Sequence, residues 1–114
     1  MKIQVNTDNH IESNEGLIRH VESVVEETLS RFGSRVTRVE VHLTDESSSA
    51  KSGGDDKRCA MEARLAGLQP IAVSHQSPTV DQAIEGAADK LEKTLERTLG
   101  RLDDPKGRTS FSGE

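Results

Sequence analysis

Ile3 and Val5 alternate with Lys2, Gln4 and Asn6, the period-two pattern of a short strand with one apolar face. The period then lengthens. Leu17, Ile18, Val21, Val24, Val25, Leu29 and Phe32 recur every three or four residues, which predicts an amphipathic helix from about Ser13 to Arg31, with Gly33 placed as its stop. Alternation returns at Val39, Val41 and Leu43, and again at Cys59, Met61, Ala63 and Leu65. Gly67-Leu68 marks a tight turn, after which Ile71 and Val73 continue on a fourth strand. Ser77-Pro78 reads as an N-cap followed by proline in the first helical position. Beyond it Val80, Ile84, Ala87, Leu91, Leu95, Leu99 and Leu102 mark a long second helix.

The predicted order is β-α-β-β-β-α. Each strand has one apolar face and each helix one apolar stripe. The simplest packing is an α+β two-layer sandwich, with both helices on one face of a four-stranded mixed sheet. A right-handed crossover through the first helix makes strands one and two parallel, and strands two to four form an antiparallel meander. Two stretches carry almost nothing to bury. One is the polar run from Asp45 to Asp56; the other is a tail over 103–114, expected to be flexible, whose one large apolar residue is Phe111.

Composition removes several functions. The chain has no Trp, no Tyr and two Phe, so it cannot hold single-stranded nucleic acid by stacking bases on aromatics. A single cysteine, Cys59, excludes an internal disulfide and a paired-cysteine zinc site, and reads as a small core residue. The opening residues are too short and polar for a signal-peptide core and no apolar run approaches a membrane span, so a cytoplasmic protein is expected, with no membrane partner. His10, His20, His42 and His75 have no metal-motif spacing, and no serine sits in a nucleophile elbow. Neither an enzyme nor a protein with a cofactor, metal or small-molecule substrate is expected.

Charge matters more by position than by sum. Fifteen Lys and Arg against twenty Asp and Glu give a net charge of −5, which by itself argues against a polyphosphate partner. On the second helix, however, the signs separate. At 100° per residue Asp81, Glu85, Asp89, Glu92 and Glu96 take one flank of the apolar stripe, and Lys90, Lys93, Arg97 and Arg101 take the other. The four cations span about 16 Å, enough for successive phosphates of an RNA backbone. The competing reading is a solvated helix face supported by i,i+4 pairs. Lys2, Gln4, Arg38, Glu40, His42, Arg58, Glu62 and Arg64 fall on the outer face of the sheet, where cross-strand ion pairs that keep an uncovered face soluble account for them.

The element order and the segment Val80-Asp81-Gln82-Ala83-Ile84-Glu85-Gly86-Ala87-Ala88-Asp89-Lys90-Leu91-Glu92-Lys93-Thr94-Leu95 resemble the ribosome hibernation-promoting factor / ribosome-associated inhibitor family, also called sigma-54 modulation proteins. The Met-Lys-Ile-Gln-Val opening and the Glu-Ala-Arg-Leu strand are similar to family members as well. Asp81 stands where the family helix carries a tyrosine. The resemblance covers residues 1–102 and implies a stress-related factor of ribosome hibernation. Such a factor occupies the mRNA and tRNA channel of the small ribosomal subunit, inhibits translation and rests on ribosomal RNA backbone. Carried over by position, the rRNA-binding residues are Lys90, Lys93, Arg97 and Arg101, followed by Lys2, Arg38, Arg58 and Arg64. The alternative is a non-ribosomal, stress-related protein-interaction domain whose acidic surface takes a basic partner.

Overall fold

A computed structural model describes residues 1–8, 11, 14–45 and 57–103, with side chains to residue 100. The elements are β1 (Lys2–Thr7), α1 (Glu15–Leu29), a 3₁₀ turn (Ser30–Arg35), β2 (Val36–Asp45), β3 (Lys57–Leu65), β4 (Ile71–Ser77) and α2 (Val80–Asp103). The sheet order is β1-β2-β3-β4, with β1 parallel to β2 and the other neighbours antiparallel. This is the expected α+β arrangement. The run from 46 to 56 and the tail beyond Asp103, including Phe111, lie outside the described residues.

One apolar cluster holds the layers together. Val39, Val41, Leu43, Cys59, Met61 and Ala63 point inward from the two central strands and are at most 1% exposed. Val21, Val25 and Leu29 of α1, and Ala83, Ile84, Ala87, Leu91 and Leu95 of α2, close over them. Ile3 and Val5 on edge strand β1 are only partly buried. The alanines let α2 approach the sheet closely, while its leucines fill the space toward the C-terminal end.

The termini of the helices differ in detail from the periodicity. Asn14 caps α1, its side-chain oxygen accepting the Leu17 N–H at 2.8 Å. The α-helix ends at Leu29, and the 3₁₀ turn carries Phe32 into the core before Gly33, at φ +59°, redirects the chain. Ser77 is not the cap of α2: it is the buried last residue of β4, in register with Lys57. Thr79 caps instead, because its hydroxyl accepts the Gln82 N–H at 3.1 Å and its carbonyl accepts the Ala83 N–H at 3.0 Å. Proline thus precedes the cap. Gly67, at φ +76°, forms the predicted β3–β4 turn, closed by Leu68 N–H donating to the Leu65 carbonyl.

Two inward-facing side chains set checkable terms. The His75 imidazole faces inward from β4 and lies against the backbone of α2 at Gly86, where any Cβ would overlap its Cδ2 and Nε2 atoms. Gly86→Ala is therefore expected to cost about 1–3 kcal/mol by overpacking, despite a helix-propensity gain of about 1 kcal/mol. Urea titration checks this, and adding His75→Ala should recover part of the loss. Burial pushes the Cys59 thiol up to about 12 from 9.0. The folded state then holds a proton that the unfolded state releases, so stability falls as pH rises from about 9 towards 12, by up to about 1.4 kcal/mol per unit. Cys59→Ala should flatten that part of the profile in parallel urea titrations.

Candidate nucleic-acid interface

Burial of its apolar stripe fixes which way each flank of α2 turns. The helix crosses β3 and β4 and packs beside α1, so one flank faces α1 and the other follows the free edge of β4. The acidic flank faces α1. Arg31 reaches across with Nε 3.4 Å from Glu92 Oε2 and Nη2 3.5 Å from Glu96 Oε2, while its guanidinium sits 4.7 Å from the Phe32 ring centroid. At the other end His20 Nε2 lies 3.5 Å from Asp81 Oδ1. A carboxylate at the family's tyrosine position thus has a local partner. Between these contacts Glu27, Glu85, Asp89 and Glu92 line a shallow cleft floored by Val24 and Ala88.

The cationic flank runs along the β4 edge. Lys90 Nζ donates to the Ser74 carbonyl at 2.9 Å, which both anchors the stripe and covers an edge-strand acceptor. Lys93 Nζ is 3.2 Å from Asp89 Oδ2, the i,i+4 pair anticipated for a solvated face. Both side chains of that pair are more than half exposed, so the pair is worth at most about 1 kcal/mol and leaves Lys93 able to turn to a stronger anion. Arg97 is exposed one turn further on. Arg101 lies in the helix, its side chain outside the described residues.

The outer face of the sheet gathers the remaining sequence candidates, but not as one group. Register sets Lys2 opposite Arg38 and Arg38 opposite Arg64, making a row of cations across three strands. Gln4, Glu40 and Glu62 form the next row, Asn6, His42 and Ala60 the one after, and Arg58 lies in a fourth with Thr44 and Gln76. Cross-strand ion pairs were the expected occupants of this face. The pairs found here run along β2 instead: Arg38 Nη2 is 3.0 Å from Glu40 Oε2, and His42 Nε2 is 3.7 Å from Glu40 Oε1. Arg38 Nη2 also donates across to Gln4 Oε1.

A β-bulge between Val36 and Arg38 adjoins this row and places Val36 opposite Leu65. Val36 and Val39 are both buried although three residues apart, so one extra residue must be absorbed between them. The result turns Thr37 and Arg38 together toward the outside, with Thr37 Oγ1 donating to the Arg64 carbonyl at 3.1 Å. The spacing of Val36 and Val39 was the available signal.

Among the described residues no cluster of three or more His, Cys, Asp or Glu side chains is placed to hold a metal ion, and no helix is long and apolar enough to cross a membrane. The arrangement offers fixed positive charge on an exposed helix flank and on one end of a sheet, a geometry suited to polyanion backbone rather than to bond chemistry.

Solved structures share the fold, two of them at under 20% identity. The N-terminal domain of Thermus thermophilus Protein Y superposes with a TM-score of 0.68 at 19% identity, over 86% of this chain and 99% of that one. A ribosomal subunit interface protein from Coxiella burnetii gives 0.64 at 16% identity, over 88% and 99%. No curated protein matches the sequence significantly. The profile of the sigma 54 modulation protein / S30EA ribosomal protein family matches residues 3–103, nearly the whole of the described fold, and the chain belongs to that family of ribosome-associated factors.

Proposed function

We propose that this protein binds the small ribosomal subunit in the mRNA and tRNA channel and inhibits translation by occupying it, as a hibernation factor of stressed cells in the cytoplasm. One observation carries the reading: α2 is rotated so that three of its acids face partners on α1 and the 3₁₀ turn after it, while Lys90, Lys93 and Arg97 run along an exposed edge. The Coxiella burnetii relative is itself described as a ribosomal subunit interface protein, which supports a ribosomal partner here. Lys90, Lys93, Arg97 and Arg101 contact rRNA phosphates in this reading, and Lys2, Arg38, Arg58 and Arg64 extend the contact over the sheet. Phosphate contacts fix position without reading sequence, consistent with the burial of Phe32, the one aromatic among the described residues. Inhibition is steric and requires no catalytic group.

A second reading, a non-ribosomal stress-related interaction domain, draws on the acidic cleft lined by Glu27, Glu85, Asp89 and Glu92, which suits a basic partner. The two predict different fates in a sedimentation experiment. The ribosomal reading expects the protein to pellet with small subunits at low salt and to be released as salt rises. Replacing Lys90, Lys93, Arg97 and Arg101 with Gln should reduce the slope of log K against log salt by about 3, at roughly 0.7–0.9 per phosphate contact. The pair Lys93→Gln and Arg97→Gln, which leaves the Lys90–Ser74 contact intact, should lose about half of that. Absence from the small-subunit fraction at low salt would overturn the ribosomal reading.

A further inference from the structure

The two edges of the sheet are finished differently. On β4, Lys90 Nζ donates to the Ser74 carbonyl and α2 packs closely beside the strand. On β1 the described residues supply no such cover. The Asp8 N–H donates to the Leu43 carbonyl, and Thr7 is in register with Leu43. In a parallel ladder both backbone groups of a residue point the same way, and successive residues alternate. Gln4, Asn6 and Asp8 therefore face β2, while the N–H and C=O groups of Ile3, Val5 and Thr7 face outward. That open row runs about 13 Å from Ile3 to Thr7 at 3.3 Å per residue. Natural edges are blunted by proline, bulges or charge. β1 has neither proline nor bulge, its register against β2 is regular throughout, and its one charge is Lys2 at the start.

The helix above this edge adds a charge. His20, Val24 and Glu27 mark the flank of α1 that meets α2. At 100° per residue Ile18, Glu22 and Glu26 fall on the opposite flank. α1 packs over β1, and α2 over β3 and β4, so this flank overhangs the open edge. Glu15 continues it but is engaged by Arg19 at 3.2 Å. Glu22 and Glu26 have no ion-pair or hydrogen-bond partner among the described residues. They stand one turn apart, about 6 Å at 1.5 Å per residue. Alternate residues of a strand are about 6.6–6.8 Å apart, so a chain laid against β1 brings successive inward side chains under successive carboxylates. Ile3 and Val5, only partly buried, supply apolar surface between strand and helix.

We propose that β1 and the overhanging flank of α1 form a docking edge for an extended cationic segment of a partner protein, which adds to the sheet as a further strand. The outward groups of Ile3, Val5 and Thr7 pair with its backbone. The stems of its alternate Lys or Arg side chains lie over Ile3 and Val5, and their charged heads reach Glu22 and Glu26. RNA has no strand backbone to offer, and its phosphates would meet the two carboxylates. A second copy paired through β1 about a two-fold axis would set the two acidic flanks against each other. This edge is the opposite one from the α2 cations and lies across α1 from the acidic cleft, so the site is independent of the small-subunit reading.

The probe is an octapeptide alternating threonine and arginine, titrated into the full chain, with amide hydrogen exchange read residue by residue by NMR. In the free protein Gln4, Asn6 and Asp8 should exchange slowly and Ile3, Val5 and Thr7 fast; the peptide should protect the second set. The same peptide with glutamate for arginine should not. Glu22→Gln with Glu26→Gln should weaken binding about fivefold or more and flatten its salt dependence. Val5→Pro removes the central outward donor at a position where an edge strand tolerates proline, and should abolish protection of Ile3 and Thr7 while Gln4, Asn6 and Asp8 stay slow. If that variant does not fold, the glutamate pair decides alone. Protection of Ile3, Val5 and Thr7 in dilute free protein would overturn the proposal, because the chain would be covering its own edge. Protection that grows with protein concentration without peptide would overturn it in favour of a second copy. Binding of the arginine peptide that leaves these amides fast, or that ignores the glutamate pair, would overturn it as well. Sedimentation with ribosomes should be unchanged by Glu22→Gln with Glu26→Gln, so the failure of either reading shows separately.

Discussion

The rotation of α2 about its own axis is the constraint on which the rest of the molecule depends. Seven residues of that helix, Ala83, Ile84, Ala87, Ala88, Leu91, Leu95 and Leu99, are at most 4% exposed. Turning the helix by one position, 100°, would lift leucines into solvent and drive a carboxylate or an ammonium into the sheet. Each buried leucine contributes about 1.5–3 kcal/mol against exposure, so the stripe overrides any preference of the flanking charges, whose surface pairs are worth at most about 1 kcal/mol each. Hydrophobic burial therefore decides where the charges go. The acids come to rest beside Arg31 and His20, and the cations beside the open edge of β4.

The outer face of the sheet follows a different logic, because none of the described elements covers it. There the strand register decides which charges meet. A single bulge at Thr37 reverses the alternation of one strand end and keeps both Val36 and Val39 in the core, while the regular register beyond it sets Arg38 between two other cations. Glu40 partly compensates along the strand at 3.0 Å, but it faces Glu62 across β2 and β3, so the compensating row carries its own repulsion. Bands of like charge alternating along a sheet are a poor solution for stability alone. They are a workable one for a surface that meets an ordered array of anions.

Most of the architecture was legible in hydrophobic period, because this core is built almost entirely from residues whose spacing declares them. Val39, Val41 and Leu43, or Leu91, Leu95 and Leu99, leave no other way to bury an apolar face. What escaped depended on exact local geometry. Ser77 and Thr79 are both good caps, and only the length of β4 shows that Ser77 still belongs to the strand. Gly86 resembles any helical glycine until His75 is found lying on it. The bulge required noticing that Val36 and Val39 are out of phase. The α2 stripe was visible because helical angles follow directly from sequence number. The sheet row was not, because cross-strand neighbours are set by register, and register follows from turns and a bulge that periodicity does not resolve.

A net charge of −5 is compatible with a polyanion partner once its distribution is considered. At physiological ionic strength charges more than about 8 Å apart are largely screened from one another. The α2 cations and the Lys2, Arg38 and Arg64 row would thus act on a nearby anion mainly through local charge. Of the acids in the cleft between α1 and α2, Asp89 meets the cationic flank at Lys93, while Glu27, Glu85 and Glu92 turn toward the two-helix side. A polyanion approaching the two-helix face would be repelled and one approaching the β4 side attracted, which would orient the protein before contact. A uniformly basic domain of this size would bind more strongly and less selectively, in many orientations. Net acidity combined with a cationic edge restricts polyanion binding to one face, trading raw affinity for a defined orientation.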